Sequence, residues 1–359
     1  MKNIQEKNIL VVGYEKKDKI RYPHLSYFLL ELRKYANVEY CHYRERGYFL
    51  DSDNDKAFFD LLDEFKDAVA DHVGQDVYVI AIDNLAYVFC CLLFENVILL
   101  SFDFVTEKEK NFHSVVQHQI RKNVKKYLNK KKKIIIQDTL RYELFLRTHS
   151  FEVTELDVFY LPVSLPAVKE HDFCMLKRKK TKPLVLQIGG ISEDRSASQS
   201  IIDEYQKGLC YTLKLHGFIT ESVRLYSENV RKKPVLSELL DDEQSVHSVV
   251  ETCDIGIVCY NVSNENFYLT AFASGQAVEF LRCGKPLIVY GHTNLKKHIE
   301  NHRAGIGIES LDDLEKCVED ITKEYEKFSS NALKLFKKYY DLALYSDSIF
   351  PWVLKKEEA

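Results

Sequence analysis

The chain lacks the features that would assign it to several large functional classes. Its longest apolar run, Leu85 to Phe94, is ten residues and is closed by Glu95. A membrane-spanning helix needs about 20 such residues. The opening Met1–Lys7 leads directly into a strand pattern, without the order of a secretory signal. Neither charge sign dominates: 50 Lys and Arg against 54 Asp and Glu leave a net charge of −4, which argues against a dedicated nucleic-acid binder. The nine cysteines are odd in number and show no metal-ligand spacing. Cys90 and Cys91 are adjacent in an apolar run, and Cys253 and Cys259 sit in or beside a predicted core strand. Free thiols in a reducing cytoplasm are expected, with at most a peripheral place at the inner membrane face. Gly13-Tyr14-Glu15, after the first strand pattern, carries one glycine and no G-x-G-x-x-G, so no dinucleotide cofactor is expected there. No short-period repeat or low-complexity tract interrupts the chain.

What is present is an alternation of short apolar runs with segments of helical period. In the first half, strands are expected at Asn8–Gly13, Val38–Tyr43, Val77–Ile82, Val97–Phe102 and Ile134–Gln137. Between them fall helical patterns at Leu25, Phe28, Leu29 and Leu32, at Phe58–Val73, near Leu85–Phe94 and at His113–Leu128. Pro162 and Pro166 punctuate an extended stretch, and the α/β pattern then restarts. The second half predicts strands at Leu184–Ile188, Thr212–Leu215, Ile255–Cys259, Leu287–Tyr290 and Gly305–Ile308. The fold class is α/β, with two Rossmann-like, doubly wound parallel sheets. The expected division is residues 1–165, residues 166–335 and a C-terminal helical tail over 336–359.

The most informative run is Ser274 to Val289, which reads as a small-residue loop, a short helix, a glycine stop and a buried strand. Ser274 and Gly275 at a helix start leave backbone N–H groups pointing outward. With the positive end of the helix dipole, those groups seat a phosphate. One turn in, Glu279 is a carboxylate able to accept from sugar hydroxyls; its plain alternative is a solvated surface Glu. Gly189-Gly190-Ile191-Ser192-Glu193-Asp194-Arg195 follows the first strand of the second half. Its two glycines allow close approach to a ligand, and Arg195 either grips a diphosphate or is simply solvated. Tyr260, at a strand end, stacks on or hydrogen-bonds a ligand, or packs as an ordinary aromatic. Asp83, Asp103 and Asp138 follow strands and read as helix N-caps. From Arg121 to Lys133 eight of thirteen residues are basic. That run is either a solvated helix end or a docking face for an anionic membrane. A second basic cluster lies at Lys177–Lys180 with Lys182.

The run Ser274–Val289, with Cys253-Asp254-Ile255-Gly256-Ile257 before it, resembles the donor-binding half of retaining, group 1-like GT-B glycosyltransferases. Pro183–Gly190 and Leu215-His216-Gly217-Phe218 extend the resemblance over roughly residues 183–310. Two departures stand out: Gln276 replaces the usual lysine, and Ala271 occupies the place of the first glutamate of the E-x7-E pair that Glu279 completes. The resemblance implies a nucleotide-sugar donor, a glycan or lipid-linked acceptor, surface polysaccharide or glycoconjugate synthesis, and no metal requirement. It implies that Glu279 binds the ribose, that His216 lies near the base or ribose, and that Gly13 faces the ligands. It also implies that the tail returns to the first domain. An inverting member would keep its general base in the first domain, where Asp103, Asp83 and His24 are the candidates. The two departures keep open a non-catalytic binding protein of the same fold, and a sugar-nucleotide epimerase is the third reading.

Overall fold

The computed structural model describes residues 7–14, 23–43, 55–151, 156–168, 182–208, 210–238, 243–261, 264–291 and 293–355. Glu15 and the basic cluster Lys177–Lys180 lie outside the described residues. The chain forms two compact units. One comprises residues 1–162, 264–266 and 343–359; the other comprises residues 163–263 and 267–342.

The first unit alternates strand and helix: β1 (Asn8–Gly13), α1 (Pro23–Leu32), β2 (Asn37–His42), α2 (Asp55–Val69), β3 (Val77–Ile82) and α3 (Asp83–Leu93). It continues with β4 (Asn96–Leu100), α4 (Val115–Lys131), β5 (Lys133–Ile136), α5 (Thr139–Thr148) and β6 (Asp157–Tyr160). The parallel sheet runs β2-β1-β3-β4-β5-β6. Every residue of β3 is buried. A strand covered on both faces has no polar side to present, hence its continuous apolar run. On α1 the buried residues are Leu25, Phe28, Leu29 and Leu32, the stripe that its helical period predicts.

The second unit holds β7 (Leu184–Ile191), α6 (Glu193–Ser196), α7 (Ser198–Lys207), β8 (Thr212–Ile219), α8 (Glu221–Asn229), β9 (Val235–Glu238) and α9 (Glu243–Thr252). After β10 (Ile255–Tyr260) come α10 (Glu265–Tyr268), whose first residues belong to the first unit, and α11 (Gly275–Arg282). Then follow β11 (Leu287–Gly291), α12 (Leu295–Asn301), β12 (Gly305–Ile308), α13 (Leu314–Lys323) and α14 (Tyr325–Tyr339). The sheet order is β12-β11-β10-β7-β8-β9, all parallel. From β7 the chain winds outward through β8 and β9, and from β10 it winds the other way through β11 and β12. The adjacent pair β7–β10 is therefore the topological switch point, where open α/β sheets leave a crevice beyond their carboxyl ends.

The chain re-enters the first unit at Ala343. Helix α15 (Ala343–Leu354) sinks Ile349, Phe350 and Val353 into the core that holds Leu25, Phe28 and Leu32. Trp352 Nε1 donates to Asp157 at 2.7 Å, and the Lys133 ammonium donates to the Trp352 carbonyl at 2.9 Å. Two strands, β6 and β9, have no signature in the apolar pattern. Both are outermost in their sheets and exposed at their two ends.

Candidate functional site

The loop after β7 is built by buried polar groups. Gln187, 1% exposed in β7, donates through Nε2 to the Ser196 carbonyl at 2.8 Å and accepts from the Ser198 hydroxyl at 3.1 Å. The Ser196 hydroxyl accepts from Ser192 N at 3.0 Å and lies 2.8 Å from the carbonyls of Gly190 and Ser192. Ser192 caps α6 by accepting from Arg195 N. Glu193 folds back over the start of α7, accepting from Gln199 N at 2.7 Å and from the Ser200 hydroxyl at 2.6 Å. These bonds hold the backbone from Gly190 to Ser200. Gly190 meanwhile stays open: a Cβ placed there would meet nothing within 4 Å. Arg195 is exposed, with its guanidinium 5.3 Å from the Phe267 ring centre.

Across the switch point, β10 ends at Tyr260, and Asn261 N donates to the Arg195 carbonyl at 2.9 Å. The Tyr260 hydroxyl donates to Ser274 Oγ, which joins the β10 end to the cap of α11. Ser274 in turn accepts from Ala277 N at 3.1 Å, and its carbonyl accepts from Val278 N. The N–H groups of Gly275 and Gln276, at the very tip, have no intrahelical acceptor. No atom lies within 4 Å of a Cβ placed at Gly275. Gln276 lies over Gly189, whose φ of +99° and missing side chain give the amide its place. The residue that departs from lysine thus spans the two loops. Gly190, Ser192, Arg195, Tyr260, Ser274, Gly275 and Gln276 all gather at one switch point, with glycines and bare N–H groups facing outward.

Glu279 lies deeper than a surface carboxylate, at 4% exposure. His247 Nδ1 on α9 stands 2.9 Å from Glu279 Oε1, and Arg282 Nη1 donates to Oε2 at 3.4 Å. Cys283 Sγ is 3.4 Å from the same His247 nitrogen. The ligand atoms of His247, Glu279 and Cys283 all lie within 4.8 Å of one another. Burial pushes the Cys283 thiol well up, with the Glu279 charge adding to the shift. No spacing reveals this cluster in the sequence, because His247 comes from a different helix than the other two. Ala271, at the position of the missing glutamate, is buried: its N–H donates to Asn294 Oδ1 at 2.8 Å and its carbonyl accepts from the Tyr340 hydroxyl at 2.6 Å.

His216 lies inside the second sheet, 2% exposed, between Ile188 of β7 and Ser237 of β9. Its Nδ1 is 2.9 Å from the Ser237 hydroxyl, and burial followed by the Lys214 charge lowers its pKa.

The candidates of the first unit are differently placed. At Gly13 a Cβ would fall 2.6 Å from the Tyr40 hydroxyl and 2.9 Å from Ile82 Cδ1, so its own core fills that space. Asp83 adopts φ +67° at the start of α3 and accepts from Phe102 N at 3.3 Å and Asp103 N at 3.4 Å. It ties the β4 loop rather than capping a helix through its own first turn. Asp103 is paired with Arg141 Nη2 at 3.1 Å, and Arg141 is buried, with Nε donating to Gln137 at 2.7 Å. His24 packs edge-on to Phe102, and burial lowers it to about 4 against the opposing pull of Asp103, making it a weak proton acceptor. Asp138 caps α5, accepting from Arg141 N at 2.9 Å.

The basic run on α4 divides in two. Arg121, Lys125, Lys131 and Lys133 donate to the carbonyls of Phe112, Ser150, Glu95 and Trp352, whereas Lys122, Lys126, Lys130 and Lys132 are exposed. Among the described residues no helix is long and apolar enough to cross a membrane.

Residues 195–341 match the family described as glucosyltransferase 3-like, C-terminal domain. No curated protein matches the sequence. Among solved structures, HepE of Anabaena, in complex with UDP-glucose, is similar at TM-score 0.65 and 12% identity, over 96% of this chain and 98% of HepE. Sucrose-phosphate synthase of Thermosynechococcus elongatus is similar at TM-score 0.70 and 12% identity, over 96% and 98%. WaaG, a glycosyltransferase involved in lipopolysaccharide biosynthesis, is similar at TM-score 0.64 and 11% identity, over 97% and 100%. The expected architecture is therefore the observed one: the chain has the two-sheet GT-B fold of glycosyltransferases, and its second unit carries the match to a glucosyltransferase family.

Proposed function

We propose that this chain is a glycosyltransferase that binds a nucleotide-sugar at the β7–β10 switch point and passes the sugar to an acceptor hydroxyl. The observation that carries this reading is the convergence of Gly190, Ser192 and Arg195 with Tyr260, Ser274 and Gly275. Backbone donors at the tip of α11 are aimed where charge builds on a departing diphosphate, and fixed donors and a helix dipole stabilise such a leaving group. The Arg195 guanidinium adds a mobile cation. On this reading Glu279, one turn further along α11 and beside His247, accepts from the ribose hydroxyls. The glucosyltransferase family match and the UDP-glucose held by HepE favour a UDP-sugar.

The acceptor chemistry is carried by the first unit, where Asp103 is the exposed carboxylate beside a buried guanidinium. A glycan or lipid-linked acceptor fits the exposed Lys122, Lys126 and Lys130 of α4 and Lys132 just beyond it, which favour an anionic surface. That reading places the enzyme on the cytoplasmic face of a membrane, in surface polysaccharide synthesis and without a required metal.

The test is thermal stabilisation by UDP, GDP, ADP, CDP and TDP. A ligand at 100 times its dissociation constant adds about 2.7 kcal/mol, an easily read shift. UDP alone should give it. Glu279→Gln keeps the volume beside buried Arg282 and removes the charged acceptor, and should weaken UDP binding by about 1–3 kcal/mol. Unchanged affinity in that variant would remove Glu279 from the site. A second reading, donor binding without transfer, is favoured by Ala271, whose surroundings are closed by Tyr340 and Asn294. Stabilisation by UDP together with no sugar transfer across an acceptor panel would select it.

A further inference from the structure

The group formed by His247, Glu279 and Cys283 has a donor set that the proposed sugar transfer does not use. An imidazole nitrogen, a carboxylate oxygen and a sulfur converge within 4.8 Å, with Glu279 buried and His247 and Cys283 half-buried. Glu279 and Cys283 are four residues apart on and just beyond α11, which stacks them on one face, and α9 presents His247 opposite. The separations from His247 Nδ1 are 2.9 Å to Glu279 Oε1 and 3.4 Å to Cys283 Sγ. Tetrahedral coordination at zinc bond lengths spaces such atoms by about 3.3–3.7 Å, so the His247–Cys283 edge already has the required length and the His247–Glu279 edge opens by about half an ångström. The outer groups also suit a metal-bound imidazole. His247 Nδ1 donates to Glu279 Oε1 in the metal-free cluster, and Nε2 lies 3.4 Å from Glu251 Oε1, a carboxylate–histidine pairing that can take the proton on Nε2 when Nδ1 turns to a metal. The Glu251 backbone is held by Lys285, whose ammonium donates to its carbonyl at 2.8 Å.

We propose that His247 Nδ1, Glu279 Oε1 and Cys283 Sγ form a site for a thiophilic divalent cation of the zinc class, with a fourth position left to water. On binding, the proton between His247 Nδ1 and Glu279 is given up, His247 carrying its proton on Nε2 toward Glu251; the Cys283 thiol loses its proton to solvent and ligates as thiolate, and two anionic ligands balance the dication. Arg282 keeps its contact to the other Glu279 oxygen. A consequence, which rests on the donor-site reading above, is that the metal withdraws Glu279 from the ribose. Metal and nucleotide-sugar then exclude one another, and the site is an inhibitory one.

Cobalt(II) is the probe, added to chelator-treated full-length protein. The expected result is one ion per chain with a thiolate-to-cobalt absorption band, displaced by zinc. The band disappears in Cys283→Ser and in His247→Gln, each verified as folded by its thermal melt. No thiolate band in the parent protein, or equal bands in the folded variants, overturns the site. The second arm measures UDP binding with and without saturating zinc. A rise of at least about tenfold in the apparent dissociation constant supports exclusion; unchanged UDP affinity beside a clear cobalt band overturns the inhibitory role and leaves the metal site standing. If UDP fails to bind the metal-free protein while cobalt gives its band, the nucleotide reading falls and the metal site does not.

Discussion

The two units share a parallel-sheet plan and use their strand-end loops in opposite ways. In the second unit the loops are held from beneath: Gln187, Ser196 and Ser198 bond one another and the backbone, Glu193 holds the start of α7, while Gly190, Gly275 and the α11 tip face outward. In the first unit the corresponding groups are spent on the unit itself. Tyr40 and Ile82 fill the space at Gly13, Asp83 ties the β4 loop, and Arg141 engages Asp103. A ligand site is preorganised where polar groups beneath a loop are satisfied and those on it are spare. By that criterion the proposed nucleotide site belongs to the second unit, while these strand-end groups of the first unit hold its own loops.

The largest effect expected from testing this contrast is at Gly217. Its φ is +144°, and a Cβ there would land on the Gly189 carbonyl. Both penalties are backbone penalties, which side-chain movement cannot relieve. Gly217→Ala should lose at least about 3 kcal/mol in chemical denaturation. A loss under about 1 kcal/mol would show that β7 and β8 separate freely at the site, contrary to a rigid platform.

The first unit should reveal its closed character in acid. His149 is buried between the rings of Phe104, Phe145 and Phe151, with Nδ1 2.9 Å from the Phe145 carbonyl and Nε2 3.1 Å from Asn84 Nδ2. Burial lowers it to about 4, from an ordinary value of 6.5. Between those values the unfolded chain holds the proton and the folded chain does not. Stability is therefore full above about pH 6.5 and falls as the pH drops toward 4, by on the order of 3 kcal/mol. His24 acts in the same direction. His149→Gln should flatten this acid limb; an unaltered pH profile would mean that His149 titrates normally.

How much of this was readable from sequence follows the same line. Fully buried strands such as β3, and the stripe of α1, announce themselves because burial permits only apolar residues there. The outermost β6 and β9 do not, since half-exposed strands carry mixed residues. The Ser274 cap and the Asp138 cap were legible from local chemistry. Hidden from sequence were contacts between distant segments: His247 with Glu279 across 32 positions, Gln276 over Gly189, and Arg141 with Asp103. Asp83 and Asp103 read alike in sequence, each an aspartate after a strand, and only the fold separates a loop tie from an ion-paired carboxylate.

The smallest effects on stability should be the most telling about function. At Gly13 an added methyl meets side-chain atoms of Tyr40 and Ile82, which can shift, so Gly13→Ala should cost about 1–2 kcal/mol. UDP affinity should stay the same. Gly190→Ala reverses the pattern: with nothing within 4 Å of the new Cβ, stability should change by no more than about 0.5 kcal/mol. Yet the methyl projects into the space that a diphosphate would need, and UDP affinity should fall about tenfold, near 1.4 kcal/mol. Both variants can be read in one thermal-shift series, with the ligand-free midpoint reporting stability and the UDP-induced shift reporting binding. If Gly190→Ala keeps the full UDP shift, the β7 loop is not the phosphate platform, and the open glycine there is only an exposed turn. If Gly13→Ala loses the shift while remaining folded, the first unit also touches the nucleotide, and the division of labour drawn between the units fails.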